Sequence, residues 1–404
     1  MKNKKVLLTD VVWFQEGPGV RNTQYTDSGV KLLNVANLVD GKVDLTTSSR
    51  YISKEEAYGK YKHFLVDQGD FIIASSGIKV DYFDKKMGFV DKTQLPLCMN
   101  TSTIRFKALD SNVLNIRYFM YYLKSFAFKE QLTRQITGSA QLNFGPSHLK
   151  KMTMLLPLIE EQEKICKKLD TVYHIIETRQ RQLIELDNLI KSRFVEMFGN
   201  FVYECGRWNV CKIGDVADTI DPQPSHRTPP ISPDGIPYVG ITECNYRTRR
   251  IDFEKARKVG QNVLREHTER YTLDEGDFII GKIGTIGKPF FIPAEQTYTL
   301  SANTVLIKPI KGKVVPQYLY AVFQSEYMER IIDAEKKSTS QPAFGIQKVR
   351  KIEIPMPPLE LQQQFAAFVA QTDKSKLIIQ KSLDELETLN KALMQKYFGG
   401  NEVR

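Results

Sequence analysis

The chain has 404 residues, more than a single hydrophobic core usually holds, so we expect at least two domains. Its 57 lysines and arginines against 47 aspartates and glutamates give a formal net charge of +10, which favours a polyanionic partner such as nucleic acid. Charge alone leaves open a soluble basic protein with no such partner. No apolar stretch approaches the ~20 residues of a membrane span.

Cysteine and histidine give no sign of a disulfide framework or a metal centre. The cysteines are Cys98, Cys166, Cys205, Cys211 and Cys244; none forms a C-x-x-C pair, and an odd number is typical of reduced intracellular thiols. The five histidines are scattered without the spacing of zinc ligands, so we predict no metal site. The N-terminal apolar run is broken too early for a secretory signal, and we expect a cytoplasmic protein.

The first half of the chain is repeated in the second half. GVKLLNVANL at residues 29–38 parallels GIPYVGITEC at 235–244, and GDFII occurs at both 69–73 and 276–280. In each copy, alternating apolar residues lead into a polar loop, as expected for a strand that ends at a surface.

The repeat continues into the second part of each half. GSAQLNFG at 138–145 parallels STSQPAFG at 338–345, and LLPLIEEQ at 155–162 parallels PMPPLELQ at 355–362. MFG and YFG close the two copies. We interpret this as a duplication, in which each copy is a β-rich segment followed by a helix-rich segment.

Each copy is predicted to end in one long helix. No glycine or proline interrupts the chain between Pro157 and Gly199, which suit a helix start and a helix stop. Apolar residues recur at spacings of four and three, broken at Arg179, and this pattern is typical of a coiled-coil seam. The predicted seam comprises Ile165, Leu169, Val172, Ile176, Leu183, Leu186 and Ile190, and in the second copy Phe365, Val369, Ile379, Leu383 and Leu386.

The two helices are expected to pair within the chain. Two seams in one chain meet at high effective concentration, which favours an intramolecular pair over a homodimeric coiled coil between chains. Thr372, Lys376 and Asn390 make the centre of the second seam polar. If the helices are antiparallel, they hold the two globular repeats a fixed distance apart with pseudo-twofold symmetry, an arrangement that would suit two half-site readers on DNA.

The predicted fold class is therefore α+β, with two duplicated globular domains separated by two long antiparallel helices that form a coiled coil. The predicted segments are a globular domain at 1–155, a spacer helix at 156–199, a second globular domain at 200–355 and a second spacer helix at 356–404.

Small, polar and basic loops follow the predicted strands, where short side chains let the backbone approach a phosphate and lysines neutralise it. Arginine, asparagine and glutamine can also pair bidentately with base edges. A solvated hairpin explains such loops nearly as well, and we slightly favour a structural role for the repeated glutamines Gln141 and Gln341. The candidate DNA-binding residues are Arg21, Asn22, Gln24, Ser75, Ser76, Lys79, Gln141, His226, Arg227, Arg247, Arg249, Arg250, Lys282, Thr285, Lys288 and Gln341.

Catalytic motifs are absent from the sequence. GKIGTIGK at 281–288 departs from the P-loop pattern, and no G-x-G-x-x-G, H-E-x-x-H, G-x-S-x-G or Asn/Asp-Pro-Pro-aromatic motif occurs. The histidines do not recur at matching positions in the two copies, as a duplicated catalytic site would require. We therefore predict no catalytic residue in this chain.

The duplicated GDFII, the S-x-Q-x-x-F-G loop, the PLxEQ-type helix entry and the two helices closing in FG resemble the specificity subunit of type I restriction-modification systems. The resemblance covers nearly the whole chain. It implies that each globular repeat is a target recognition domain for one half of a split DNA sequence, and that the helices form an antiparallel coiled coil. By position, it implies that Ile165, Leu169, Leu183 and Leu186 pack on Phe365, Val369, Leu383 and Leu386.

The resemblance also implies the partners. These are double-stranded DNA, two modification subunits that methylate adenine, and restriction subunits with translocase and nuclease activity. It implies that S-adenosylmethionine, ATP and Mg are bound by the partner subunits, with no cofactor in this chain. Two other hypotheses remain: a self-contained DNA adenine methyltransferase or restriction enzyme with degenerate motifs, and a dimeric scaffold that binds no nucleic acid.

Overall fold

A computed structural model of the chain describes residues 4–136, 142–204, 206–225, 227–295, 297–338 and 344–399. The chain forms two compact units. Unit 1 comprises residues 1–177 and 384–404, and unit 2 comprises residues 178–383. Each unit therefore contains one globular repeat and a part of both long helices.

Unit 1 is built from short strands, four short helices and a share of the first long helix. Its strands are β1 (Lys4–Leu7), β2 (Val12–Glu16), β3 (Val30–Leu33), β4 (Leu38–Val39), β5 (Lys42–Val43), β6 (Tyr51–Ile52), β7 (Phe71–Ala74), β8 (Ser76–Ile78), β9 (Met87–Phe89), β10 (Leu97–Met99), β11 (Thr103–Ala108), β12 (Leu142–Asn143) and β13 (Thr153–Leu156). Its helices are α1 (Lys54–Tyr58), α2 (Ile116–Lys124), α3 (Phe126–Gln135), α4 (Pro146–Leu149) and the start of α5 (Ile159–Phe198).

Unit 2 repeats this series of elements. Its strands are β14 (Val210–Lys212), β15 (Ala217–Ile220), β16 (Ile231–Val239), β17 (Cys244–Asn245), β18 (Arg250–Ile251), β19 (Arg257–Val259), β20 (Phe278–Gly281), β21 (Pro289–Phe291), β22 (Thr299–Leu300), β23 (Thr304–Pro309) and β24 (Glu353–Pro355). Its helices are α6 (Ile213–Val216), α7 (Gln261–Arg270), α8 (Pro316–Phe323), α9 (Glu326–Ser338), α10 (Ile346–Lys351) and most of α11 (Leu359–Phe398).

The sheet topology is the same in the two units. An antiparallel four-stranded sheet has the order β2-β11-β7-β9 in unit 1 and β15-β23-β20-β21 in unit 2. A three-stranded sheet, β10-β3-β6 or β19-β16-β22, contains one parallel pair in each unit. The mixed content of strands and helices and the duplicated topology confirm the predicted α+β class.

The repeated GDFII segment is explained by the turn that precedes β7 and β20. Gly69 has a φ of +84°, a conformation that L side chains rarely adopt. Asp70 closes the turn by accepting a hydrogen bond from the Asp67 backbone N–H at 2.9 Å, and Lys107 forms ion pairs with both carboxylates. The second copy has the same turn and a lysine on the same neighbouring strand, so the motif is a structural requirement rather than a site.

The apolar part of the same motif is buried on both faces of the four-stranded sheet. In unit 2, Phe278 and Ile280 face the core that contains α8 and the ends of the long helices, whereas Ile279 faces a second core beneath the three-stranded sheet. All three side chains are fully buried. A strand covered on both faces needs a continuous apolar run, which is what the sequence provides.

A buried glutamine joins each globular repeat to the long helix that follows it. Gln162, at the start of α5, is fully buried, and its amide nitrogen donates to the carbonyl oxygens of Pro157 and Val113 at 2.9 Å. Its amide oxygen accepts from the Asn115 backbone N–H at 2.9 Å. Gln362, 362 − 162 = 200 positions later, is equally buried and repeats the bonds to the proline carbonyl and to the backbone before α8.

Within unit 2, the parts of α5 and α11 pack in antiparallel directions. The rings of Phe194 and Phe198 lie 5.6 and 5.5 Å from the ring of Phe365, centroid to centroid. Earlier in α5, Asp187 contacts Lys376, which lies later in α11, at 2.5 Å. Later residues of α5 thus contact earlier residues of α11, as expected for the predicted antiparallel pair.

Within unit 1, the start of α5 packs on the end of α11. Ile165 and Leu169 are buried in one core with Phe398, and Leu393 and Met394 pack against the same core. The predicted packing of Ile165 and Leu169 on Phe365 and Val369 is therefore wrong, because those two residues belong to the core of unit 2. Antiparallel packing reverses the order of contacts, so residues at equal positions in two copies do not face each other along most of the pair.

Every predicted seam position is either buried or half-buried. The buried ones are Ile165, Leu169, Val172, Phe365 and Leu383, and the half-buried ones are Ile176, Leu183, Leu186, Ile190, Val369, Ile379 and Leu386. Two of the three polar residues at the centre of the second seam, Lys376 and Thr372, have partners for their polar atoms. Lys376 is 6% exposed and paired with Asp187, and the hydroxyl of Thr372 donates to the Phe368 carbonyl.

We predict that Phe365→Ala lowers the free energy of unfolding by about 3–5 kcal/mol, because it empties the centre of the aromatic cluster of unit 2. Urea titration of the purified chain measures the effect. Phe126→Ala removes a phenylalanine that is 70% exposed and should change stability by less than about 0.5 kcal/mol. Equal losses for the two variants would contradict the described core.

We also predict unequal costs for alanine in the two repeated turns. Gly69→Ala should cost about 1–2 kcal/mol from the positive φ alone, since no atom lies within 4 Å of the added Cβ. Gly276→Ala should cost more, because its Cβ would lie 2.8 Å from the Pro316 ring. Thermal unfolding of both variants under identical conditions tests the order, and a larger loss for Gly69→Ala would refute it.

Candidate nucleic-acid interface

In unit 1, the candidate interface lies at one end of the strands of the four-stranded sheet, where their connecting loops meet. We call this end of the sheet the loop edge. Strands β2 and β7 end there and β11 begins there, because neighbouring strands are antiparallel. The Ser75 backbone N–H donates to the Ser102 carbonyl at 2.8 Å, and the Phe144 N–H donates to the Ser75 carbonyl at 2.9 Å. These bonds hold three loops against one another at the same edge.

Three of the predicted residues of unit 1 are exposed in loops. Arg21 and Asn22 lie exposed in the loop after β2, and Lys79 lies exposed after β8. Long cationic and amide side chains in such loops can reach phosphates and base edges. They are the strongest candidates for nucleic-acid contact in this unit.

Two other predicted residues of unit 1, Gln24 and Ser76, have internal partners, and a third, Ser75, is buried. The amide nitrogen of Gln24 donates to Glu56 at 2.6 Å and to the Tyr61 hydroxyl at 3.1 Å, so it fixes its own loop. Ser75 is 1% exposed and out of reach of a ligand. Ser76 is half-buried, and its hydroxyl donates to Ser102 at 2.7 Å.

Unit 2 has the corresponding loop edge, but Lys282 occupies the position of Ser75. Its N–H donates to the Asn303 carbonyl at 2.8 Å, as the Ser75 N–H does to Ser102. The Lys282 side chain is 8% exposed and forms an ion pair with Asp221 at 2.8 Å and a hydrogen bond to the Ala302 carbonyl. The prediction that Lys282 contacts DNA is corrected, because this ammonium is used to hold the loop after β15.

Three other predicted residues of unit 2 are exposed. Arg227 lies in the loop after β15, Thr285 lies in the loop after β20, and Lys288 precedes β21. The ammonium of Lys288 stands 3.9 Å from the centre of the Tyr246 ring, a cation–π distance. Arg227 and Lys288 give the loops of unit 2 positive charge on an exposed surface.

The arginines of the β17–β18 hairpin have different surroundings. Arg247 and Arg250 are exposed. Arg249 keeps 49% of its side chain exposed but is turned toward the long helices, where its guanidinium contacts Asp187 of α5 at 2.9 Å and Asp373 of α11 at 2.5 Å. Direct base reading by Arg249, which its sequence position suggested, would require breaking both ion pairs.

A buried histidine supports the loop after β15. His267 in α7 is fully buried; its Nε2 lies 2.5 Å from the amide oxygen of Gln223, and its Nδ1 lies 2.5 Å from the Thr299 hydroxyl. Since an amide oxygen can only accept, Nε2–H donates to Gln223 and Nδ1 accepts from Thr299. Burial lowers the pKa of His267, and the nearby charges of Glu266 and Arg270 act in opposite directions.

Three predicted contact residues, Gln141, His226 and Gln341, lie outside the described residues. The supporting pairs, Lys282 with Asp221 and His267 with Gln223, were not predicted as pairs. No local spacing pattern could reveal them, because the two residues of each pair are 61 and 44 positions apart, respectively.

In the ranges the structure describes, no helix is long and apolar enough to cross a bilayer. Among those same residues, no group of three or more histidines, cysteines or acidic residues is placed to hold a metal ion.

The family model for the type I restriction modification DNA specificity domain matches residues 3–188 and again residues 206–388. The chain belongs to this family. The two matches cover both repeats, which agrees with the duplicated topology.

Relatives and solved structures of the same family are similar to this chain. A type I restriction enzyme MjaVIII specificity subunit of Methanocaldococcus jannaschii is 25% identical over 46% of this chain and 43% of the relative. The EcoBI specificity subunit of Escherichia coli is 19% identical over 65% of this chain and 61% of the relative. The chain thus spans about half the length of these curated relatives.

The likeness in fold extends over the whole chain. A crystal structure of the S subunit of a type I restriction-modification system from M. genitalium matches with a TM-score of 0.53 and 15% identity, covering 98% of this chain and 96% of that one. A structure from work on complex assembly in the type I R-M system matches with a TM-score of 0.52 and 16% identity, over 98% and 97% of the two chains. At this identity, the likeness establishes the fold.

We predict that His267 makes the stability of the chain depend on pH. Because its pKa is lower in the folded than in the unfolded state, its neutral form stabilises the fold above about pH 6.5, and this contribution is lost as the pH falls toward the folded pKa. The free energy of unfolding should fall by up to about 1.4 kcal/mol per pH unit in that window. Urea titrations between pH 7.5 and pH 5 measure the slope.

The matched variants are His267→Asn and His174→Gln. His267→Asn should be less stable at neutral pH and should lose this part of the slope, whereas His174, which is exposed on α5, should be replaceable without effect on the slope. The same slope in wild type and His267→Asn would contradict the assignment.

Proposed function

We propose that the chain is the DNA sequence-recognition subunit of a type I restriction-modification complex and that each globular repeat reads one half of a split target. The observation that supports this most directly is the duplicated loop edge. Both units present loops at the same edge of equivalent sheets, and both edges carry exposed cations or amides such as Arg21, Asn22 and Lys79 in unit 1 and Arg227 and Lys288 in unit 2.

The electrostatic properties of the chain suit this role. The net charge of +10 provides attraction to the phosphate backbone, which contributes most of the sequence-independent affinity. Sequence selection then depends on the few side chains that reach base edges. The loops differ between the repeats, so the two half-sites should have different sequences.

The long helices are proposed to dock partner subunits. In unit 2, they expose large apolar side chains: Ile184, Leu189, Leu377 and Ile378 are 60%, 47%, 66% and 71% exposed. Asp187 and Lys376, which are in contact, place these residues at the same level of the two helices. Large apolar side chains exposed over one stretch of a helix pair suit a protein contact, and we assign this stretch to the modification subunits, of which two copies are expected.

The chemistry is proposed to belong to the partners. Two modification subunits would methylate adenine with S-adenosylmethionine, and restriction subunits would use ATP and Mg for translocation and cleavage. This chain would supply sequence recognition without catalysis. The sequence has no catalytic motif that recurs at matching positions of the two repeats, which supports the proposal over a self-contained methyltransferase.

We predict that exchanging residues 200–355 for those of a relative with another target changes one half-site and leaves the other intact. Each repeat carries its own sheets, core and loop edge, so the exchange keeps the other repeat unaltered. The measurement is sequencing of methylated adenines in genomic DNA of cells that carry the chain with its modification partner.

Exchange of residues 1–155 is the matched control and should change the opposite half-site. Unchanged methylation specificity after both exchanges would overturn the proposal. Methylation of DNA by the purified chain alone, with S-adenosylmethionine, would instead favour a self-contained enzyme.

A further inference from the structure

The β17–β18 hairpin, residues 244–251, is tied to both long helices by one residue. Arg249 donates from one guanidinium nitrogen to Asp187 of α5 at 2.9 Å and from the other to Asp373 of α11 at 2.5 Å. Lys376 contacts the same two carboxylates at 2.5 and 3.5 Å. Two cations and two carboxylates thus form a neutral cluster, which we call the Arg249 bridge.

The backbone at this position indicates that the side chain is required there. Arg249 has a φ of +53°, a left-handed conformation that non-glycine residues adopt at a cost. A glycine or asparagine would suit this turn better. Partial burial of the guanidinium opposes its charge, but the carboxylates of Asp373 and Asp187 outweigh that effect and raise the pKa of Arg249.

The opposite side of the hairpin is fixed to the recognition sheet. The Tyr246 ring meets the Phe290 ring edge-on with centroids 5.3 Å apart, and its hydroxyl donates to the Lys288 carbonyl at 3.2 Å. Cys244 is buried in the same core as Phe290, with Ile251 packed against it. The hairpin therefore moves with the recognition sheet, and Arg249 connects that sheet to the helix pair within unit 2.

The first repeat has a simpler form of the same contact. Its β4–β5 hairpin places Lys42 2.9 Å from Glu177 of α5, with 73% and 51% of the two side chains exposed. A single exposed ion pair of this kind contributes little. The two-carboxylate bridge of the second repeat is the stronger constraint.

We propose that Arg249 is a positioning residue that fixes the second recognition domain on the helix pair and thereby restricts the number of base pairs tolerated between the two half-sites. The inference rests on the proposed function. It assigns to the hairpin a role in measuring the spacing, whereas the loop edge selects the bases.

The test is methylation by the chain in complex with its modification partner. The substrates are duplexes that carry both half-sites with the native spacer or with a spacer one base pair shorter or longer. The measured quantity is the ratio of methylation on an altered-spacer duplex to methylation on the native-spacer duplex. In Arg249→Ala this ratio should be about fivefold higher than in wild type, as expected for loss of an exposed charge network. The bases required in each half-site should stay the same, and the melting temperature should change little.

Three further variants separate the explanations. Arg265→Ala removes the same charge from an exposed position on α7 of the same repeat and should leave spacer tolerance unchanged. Arg249→Glu should relax the spacer, and Arg249→Glu combined with Asp373→Arg should restore part of the strictness, because the Arg249–Asp373 pair re-forms with exchanged charges whereas the contacts with Asp187 and Lys376 do not. Rescue of this kind is not expected of a residue that contacts DNA.

Two results would overturn the inference. One is wild-type spacer strictness in Arg249→Ala, and the other is relaxed choice at one base with the spacer unaffected, which would make Arg249 a direct reader. The proposed function fails in a different way, since the wild-type complex would then methylate no split sequence at all.

Discussion

The hydrogen bonds of two buried glutamines are the constraint on which the rest of the architecture depends. Gln162 and Gln362 each connect the first turn of a long helix to backbone groups of the preceding globular repeat, and both are fully buried. A buried amide that loses such partners costs about 1–3 kcal/mol, so each helix has one strongly favoured direction of departure from its sheet. The packing of the helices and the placement of the loop edges follow from that direction.

The same backbone supports two different loop surfaces. Ser75 and Lys282 occupy equivalent positions, and their backbone groups make the same two hydrogen bonds. Their side chains differ: the serine is buried without charge, whereas the lysine holds the loop after β15 through Asp221. A constant framework with variable loop supports is what a protein needs to change its ligand without changing its fold.

The sequence was sufficient to predict the duplication, the α+β class and the two long helices. These features depend on local periodicity, on turn residues such as Gly69 and on repeated short motifs, all of which are visible along the chain. The predicted pairing of the helix seams matched residues at equivalent positions of the two copies, and it was wrong for Ile165 and Leu169. Periodicity identifies the seam, but it does not tell which residues face each other when the helices are antiparallel. Ile165 meets Phe398 in one core instead of Phe365.

The surface residues were less predictable than the fold. Lys282 and Arg249 were predicted as DNA ligands because basic residues next to glycine or in a charged run are usually exposed and without a fixed internal partner. Their carboxylate partners lie 61 to 124 positions away, so no local pattern could reveal them. Arg21 and Arg227 kept their exposure, and their role in binding remains a proposal.

The core of unit 1 joins the two ends of the described chain. Phe398 of α11 stacks near Tyr118 with ring centroids 5.0 Å apart, and Val6 of β1 is buried in the same core. The buried contacts of this core therefore do not depend on which repeat comes first in the chain. A circular permutant that begins at residue 200 and links α11 to β1 would keep the buried contacts of both units, so the architecture is defined by its interfaces more than by its covalent sequence.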